Sequence, residues 1–170
     1  VATKTITGTL EDSSGTPITS GRIMAFKEMG MGQAQDEVDG SGNYSLTIGG
    51  GTWGLRPEPN WDPSNPPDWS YCGMPKFFVF QSDTSVETKT SANTDGQTDF
   101  TIKRTNITIA GNVVYPNGAP LTSQGGVEIR SKEGCGTFAQ LDSNGRFSTK
   151  VSPGTYNVMV QVWNQTYSAP

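Results

Sequence analysis

Asp39-Gly40-Ser41-Gly42-Asn43-Tyr44-Ser45 and Asp142-Ser143-Asn144-Gly145-Arg146-Phe147-Ser148 share one pattern, Asp-x-x-Gly-x-aromatic-Ser, at a spacing of 103 residues. Each reads as a tight turn feeding an alternating strand. The aspartate can accept the N–H groups of its own turn, and glycine suits a left-handed backbone. Beyond the turn, Tyr44, Leu46 and Ile48 share one side of the strand in the first copy, and Phe147, Thr149 and Val151 in the second. Moving outward, the same spacing pairs Thr5-Ile6-Thr7-Gly8 with Thr108-Ile109-Ala110-Gly111, Gly15 with Gly118, Pro17 with Pro120, and Gly51-Thr52-Trp53 with Gly154-Thr155-Tyr156. A one-residue shift pairs Ile23 with Val127 and Gly30 with Gly134 between those blocks. Turns, glycines and aromatics recur in the same order, so the chain is an internal repeat.

Each copy predicts five strands. The first spans about Thr5 to Leu10, or Thr108 to Val114, with Gly8 and Gly111 marking a bulge or a close backbone approach. A second strand covers Arg22 to Lys27, or Gly126 to Ser131, and a Gly-rich hairpin leads to a short strand ending at Val38 or Leu141. The signature strand follows, then one opened by Gly-Thr-aromatic. Tyr156, Val158, Val160 and Val162 make the clearest period-two run in the chain, which predicts a half-buried strand. After Leu55 the first copy continues through a Pro- and Trp-rich loop, residues 56–75, and strand-like segments Phe77 to Gln81, Val86 to Thr90 and Asp99 to Lys103 that should close it. The second has only Trp163 to Pro170 after Val162, and reads as lacking its final strands. The expected domains are 1–105 and 106–170.

The order strand, Gly-x-Pro, strand, Asp-x-x-Gly-x-aromatic-Ser, Gly-Thr-aromatic, valine-rich strand resembles the carboxypeptidase regulatory-like domain, which is similar to transthyretin and to the B-type repeats of Gram-positive surface proteins. The likeness covers residues 4–57 and 107–163. It implies an all-β chain of two Greek-key β-sandwich domains, transthyretin- or immunoglobulin-like, in tandem. It also implies service as a stalk, spacer or accessory domain of a secreted protein.

Composition narrows the function classes. The 170 residues carry a net charge of −4 and a pI near 4.7, leaving no basic surface for nucleic acid. No apolar run approaches the ~18 residues that cross a bilayer, so no membrane insertion is expected. Histidine is absent, which removes the usual general base, the Ser-His-Asp and Cys-His sites and most zinc sites. The carboxylate pairs Asp36/Glu37 and Asp95/Asp99 lie in polar, turn-like stretches without an apolar pocket to separate their pKa values. An enzyme is not expected.

Binding candidates remain. Asn93, Asp95 and Asp99 around Gly96 are the calcium candidates, with Asp39, Ser41 and Asn43 a second cluster; no other cofactor is expected. The recurrence of Asp39 as Asp142 favours a turn-holding role there. Trp61, Trp69 and Tyr71 could stack on a glycan or fold down over the end of the sandwich, and exposed indoles are costly unless used. Asn43, Asn106 and Asn164 open glycosylation triplets. Cys72 and Cys135 form an even pair, expected to be a disulfide that joins the two copies.

The missing strands leave Val158, Val160 and Val162 beside an open edge. Three things could fill it: strands removed by truncation, a strand from the Val86 to Thr90 region, or a strand from a neighbouring chain, with Val1, Ala2, Thr3, Lys4 and Thr5 as donor. The expected function is a non-catalytic extracellular protein, a repeat unit of a surface stalk, adhesin or fibre. Its partners would be other copies or neighbouring domains. The alternative is a carbohydrate-binding accessory module of a secreted enzyme.

Overall fold

The computed structural model describes residues 3–60, 67–81, 84–121 and 125–163. Among these the chain is all-β, with one short 3-10 helix at Ser91–Asn93. It divides into two compact units between Lys103 and Arg104, at the end of the strand Phe100–Arg104.

The first unit opens with β1 (Lys4–Asp12), β2 (Arg22–Lys27), β3 (Gln33–Glu37), β4 (Asn43–Ile48) and β5 (Gly51–Glu58). It is completed by β6 (Trp69–Ser70), β7 (Lys76–Phe80), β8 (Glu87–Lys89) and β9 (Phe100–Arg104). One sheet runs β4-β1-β9-β6, with β8 also on β1; the other runs β3-β2-β5-β7. β8 and β9 both pair parallel with β1, at Lys4–Ile6 and Leu10–Asp12 respectively, along the edge opposite β4. Strict alternation along β1 sends Lys4, Ile6, Gly8, Leu10 and Asp12 inward. Facing residues from the second sheet, including Ile23, Ala25, Leu55, Phe78 and Phe80, join Phe100, Ile102 and Trp69 in one core of sixteen buried residues.

The second unit repeats the first five strands as β10 (Ile107–Asn112), β11 (Gly125–Ser131), β12 (Gly136–Gln140), β13 (Arg146–Val151) and β14 (Tyr156–Val162). The repeat holds in register as well as in sequence. Gly8 faces Tyr44 across β1 and β4, and Gly111 faces Phe147 across β10 and β13. Ala25 faces Leu55, and Ile129 faces Val158. The Gly-x-Pro turns match too, as bridges Glu11–Pro17 and Val114–Pro120. Among the described residues β14 pairs with β11 alone and β10 with β13 alone, giving sheets β12-β11-β14 and β10-β13. The buried cluster here is Val127, Ile129 and Val151, with Ile109, Val113, Leu141, Phe147 and Tyr156 half-buried around it.

The expectation of a half-buried final strand is corrected. Tyr156 is half-buried, but Val158, Val160 and Val162 are exposed. Val158 and Val160 occupy the register of Leu55 and Pro57, which are buried on β5, and among the described residues no strand covers them. The donor expectation is corrected as well. Lys4 and Thr5 belong to β1, between β4 and β8, and the Thr3 N–H bonds to the Ile48 carbonyl. That segment completes its own unit; Val1 and Ala2 lie outside the described residues.

Candidate functional site

The signature turns come first, because they carry the polar residues that sequence reading offered as ligands. Asp39 Oδ1 accepts the N–H groups of Ser41 at 2.8 Å and Asn43 at 2.9 Å. Asp142 Oδ1 accepts those of Asn144 at 2.8 Å and Arg146 at 2.9 Å. These donors favour the ionised carboxylate, the Asn43 and Arg146 bonds most strongly, and hold both aspartates below the usual range. Gly42 and Gly145 stand at φ 77° and 71°, where a Cβ would meet the Leu10 or Val113 carbonyl oxygen at 2.6 or 2.7 Å. Both aspartates are therefore engaged within their own turns. Asn43, first residue of a glycosylation triplet, has its amide on Asp39.

The calcium candidates are parted by their contacts. Asn93 caps its own 3-10 helix, taking the Thr90 N–H on Oδ1 at 2.7 Å and giving Nδ2 to the Thr88 carbonyl. Asp95 holds a left-handed backbone at φ 52°. Asp99 instead faces β1: its Oδ1 accepts the Thr9 N–H at 2.8 Å, the Thr9 hydroxyl at 3.0 Å and the Ser91 hydroxyl at 2.5 Å. The carboxylate pairs separate in the same way. Asp36 accepts the Ser45 N–H, while Glu37 accepts from Asn60.

Of the three proposed glycan-stacking rings, Trp69 is only 2% exposed and donates its indole N–H to the Ser20 carbonyl at 3.1 Å. Tyr71 packs edge-on against Phe100, ring centroids 5.6 Å apart, and donates its hydroxyl to the Met74 carbonyl. Both pack against the sandwich, so Trp69 and Tyr71 do not form an exposed platform. Trp61 lies outside the described residues. Cys72, two residues after β6, and Cys135, at the β11–β12 hairpin, are both disulfide-bonded.

The arrangement that stands apart is the edge of the second unit that no described residue covers. In the first unit, the segment Thr98 to Ile102 clips onto β1. The Thr98 carbonyl lies over Gly8, where an added Cβ would come within 2.4 Å of its oxygen, and it accepts the Tyr44 hydroxyl at 2.6 Å. Burial, with Asp99 adding to it, pushes the Tyr44 hydroxyl well above its usual pKa, so it stays a donor. Asp99 then caps Thr9, and Phe100 and Ile102 enter the core. Lys76, its pKa lowered by burial against the opposing pull of Asp99, sits 4.8 Å over the Phe100 ring.

In the second unit Ala110, Gly111, Asn112, Arg146, Phe147 and Ser148, with Gln140 and Asp142, line an open groove of about 600 Å³. Val114 and Tyr115, at the register of Glu11 and Asp12, are exposed, and so are Val158, Met159 and Val160 on β14. Sequence reading found the valines but missed Arg146 and Asn112. Their only sequence signal was position in the repeat, at Asn43 and Thr9 of the first copy. Among the described residues no helix is long and apolar enough to cross a membrane.

No family model and no curated protein matches the chain. Among solved structures it is similar to the TIE protein of Bacillus anthracis, at 13% identity and TM-score 0.44 over 94% of this chain and 28% of that one. It is also similar to a streptococcal ancillary pilin, at 12% identity and TM-score 0.42 over 92% of this chain and 53% of that one. A DUF3823 family protein from Bacteroides ovatus matches at 10% identity and TM-score 0.39, over 94% of this chain and 81% of that one. The chain thus spans well under two thirds of the first two proteins.

Proposed function

We propose that this chain is a non-catalytic structural and interaction module of a secreted, surface-displayed protein, of the kind from which a stalk, adhesin or fibre is built. Its second unit is completed by an added β-strand from another copy of the chain. One position-matched observation carries the reading. Leu55 on β5, flanked by β2 and β7, is fully buried, while Val158 at the same register of β14, flanked among the described residues by β11 alone, is 54% exposed. The polar groups that could do chemistry are instead engaged in turns and clips, as Asp39, Asp142 and Asp99 illustrate.

Kinship with carboxypeptidase regulatory-like domains belongs to the same proposal, as does an oxidising location suited to disulfide-bonded cysteines. Cys72 and Cys135 bond to each other in this reading and tie the two units together. The carbohydrate-binding alternative is less favoured, because Trp69 and Tyr71 are used in packing.

Sedimentation velocity over a concentration series tests the proposal. Wild-type protein should associate as concentration rises. The variant carrying both Val158→Lys and Val160→Lys should stay monomeric with an unchanged far-UV spectrum, since charges on an edge strand block pairing. Wild-type protein that stays monomeric to millimolar concentration, or lysine variants that associate equally well, would overturn it.

A further inference from the structure

The repeat makes one difference between the units readable, on the outer face of the sheet built around β2 in the first and β11 in the second. Gly126, Glu128 and Arg130 share that face of β11, opposite the core residues Val127 and Ile129. Gly126 faces Gln161 of β14, and Glu128 faces Phe138 of β12. In the first unit Arg22 faces Glu58 and Met24 faces Gln35 at the same register. Gly126 thus stands where Arg22 does, and Phe138 where Gln35 does. Trp163, one residue beyond β14, stands at Asn60 by the 103-residue spacing. At these positions the first unit carries an Arg22–Glu58 ion pair and a hydrogen bond from Asn60 to Glu37. The second carries two aromatic rings.

Phe138 and Trp163 stack with centroids 5.4 Å apart and planes at 29°, yet remain 43% and 42% exposed. Gly126 makes the room, since a Cβ there would collide with the Phe138 ring. Covering that glycine accounts for one ring. The indole beside it is not needed by the shared five-strand frame, because the first unit has none there, and contiguous apolar surface left in water marks a place of contact.

The polar groups beside the rings select the ligand. Glu128 is held on both oxygens, one by Arg130 Nε and the other by the Gln161 amide at 2.6 Å. Its charge is already answered, so the face does not call for a cation. Arg130 keeps its terminal N–H groups as donors, and Gln161 keeps its amide oxygen as an acceptor. A neutral polyhydroxyl ligand matches this set. The C–H bonds on one side of a pyranose meet the negative face of an aromatic ring, while its hydroxyls take a donor and an acceptor.

We infer that the outer face of the β12-β11-β14 sheet binds a neutral pyranose glycan. Phe138 and Trp163 stack on its sugar rings, and Arg130 and Gln161 bond its hydroxyls. The site belongs to the second unit, includes neither Trp69 nor Tyr71, and is independent of how β14 is completed.

The test titrates the isotope-labelled full chain, by NMR, with hexasaccharides of glucose, galactose, xylose, mannose and N-acetylglucosamine. At least one should give saturable shifts of the Trp163 indole N–H and the Gln161 side-chain amide. Trp163→Ala should weaken binding about tenfold or more, as loss of an aromatic anchor does. Trp163→Tyr, which keeps a ring, should stay within about threefold of wild type. Phe77→Ala, which removes an exposed ring from the first unit, should leave binding unchanged. Absence of shifts with every sugar at about ten millimolar overturns the inference, since that excludes even millimolar affinity. So does sugar binding that Trp163→Ala leaves intact. Loss of self-association in Trp163→Ala, with no sugar bound by the wild type, assigns the face to a protein contact and overturns it as well.

Discussion

Asp39 and Asp142 do the same job 103 residues apart, and their chemistry sets a pH signature. Each carboxylate is stabilised by its turn's N–H groups, so its folded pKa lies below the unfolded one. Such a group adds stability that is present above the unfolded pKa and lost as pH falls through the folded value. Carboxyl NMR should therefore place both midpoints below 3.8. The D39N and D142N variants keep an acceptor oxygen, and their melting should lose the corresponding acid dependence. Tyr44 makes the second residue-scale prediction. The Y44F variant leaves the buried Thr98 carbonyl without its 2.6 Å donor and should cost about 1–3 kcal/mol in urea unfolding of the first unit. The role of these aspartates was legible in sequence, because an Asp-x-x-Gly turn needs nothing beyond its own N–H groups. The role of Asp99 was not: its partners, Thr9 and Ser91, lie 90 and 8 residues away, and only the fold brings them together.

Strands read well where their period is local and badly where their environment is borrowed. Alternation along β4, and the Gly-Thr-aromatic entry to β5 and β14, fixed those elements without reference to anything distant. The same alternation along β14 predicts burial, and burial fails because a strand's hydrophobic face is covered by strands that lie elsewhere in sequence. β1 makes the converse point. Lys4 sits at an inward position and is fully buried, with its ammonium on the Ser85 carbonyl at 2.7 Å, a placement hydropathy does not suggest. A paired substitution measures the difference between the two edges. Leu55→Ala should cost about 2–5 kcal/mol, as truncation in a packed core does. Val158→Ala, at the same register, should change stability by no more than about 0.5 kcal/mol in the dilute chain. Unit-resolved denaturant melts distinguish the two.

For the whole molecule, the two units share one five-strand frame and differ in what covers it. The tandem β-sandwich architecture was legible because the repeat preserves order across both copies. Among the described residues the covering strands β6 to β9 have no second copy with which to compare. The proposed bond between Cys72 and Cys135 would close a loop of about 60 residues, and by chain-entropy reasoning its reduction should destabilise the chain by about 4 kcal/mol. Peptide mapping without reductant should recover the two cysteines in a single linked fragment; two separate fragments would refute the pairing. The central claim, that β14 presents an unpaired edge, is tested most directly by residue-resolved amide exchange on dilute, monomeric protein. In β5, flanked by β2 and β7, both alternating sets of amides should exchange slowly. In β14 only the set turned toward β11 should be slow, and the other should exchange at nearly the rate of an unstructured peptide. Slow exchange of both sets in β14, equal to that of β5, would contradict the account.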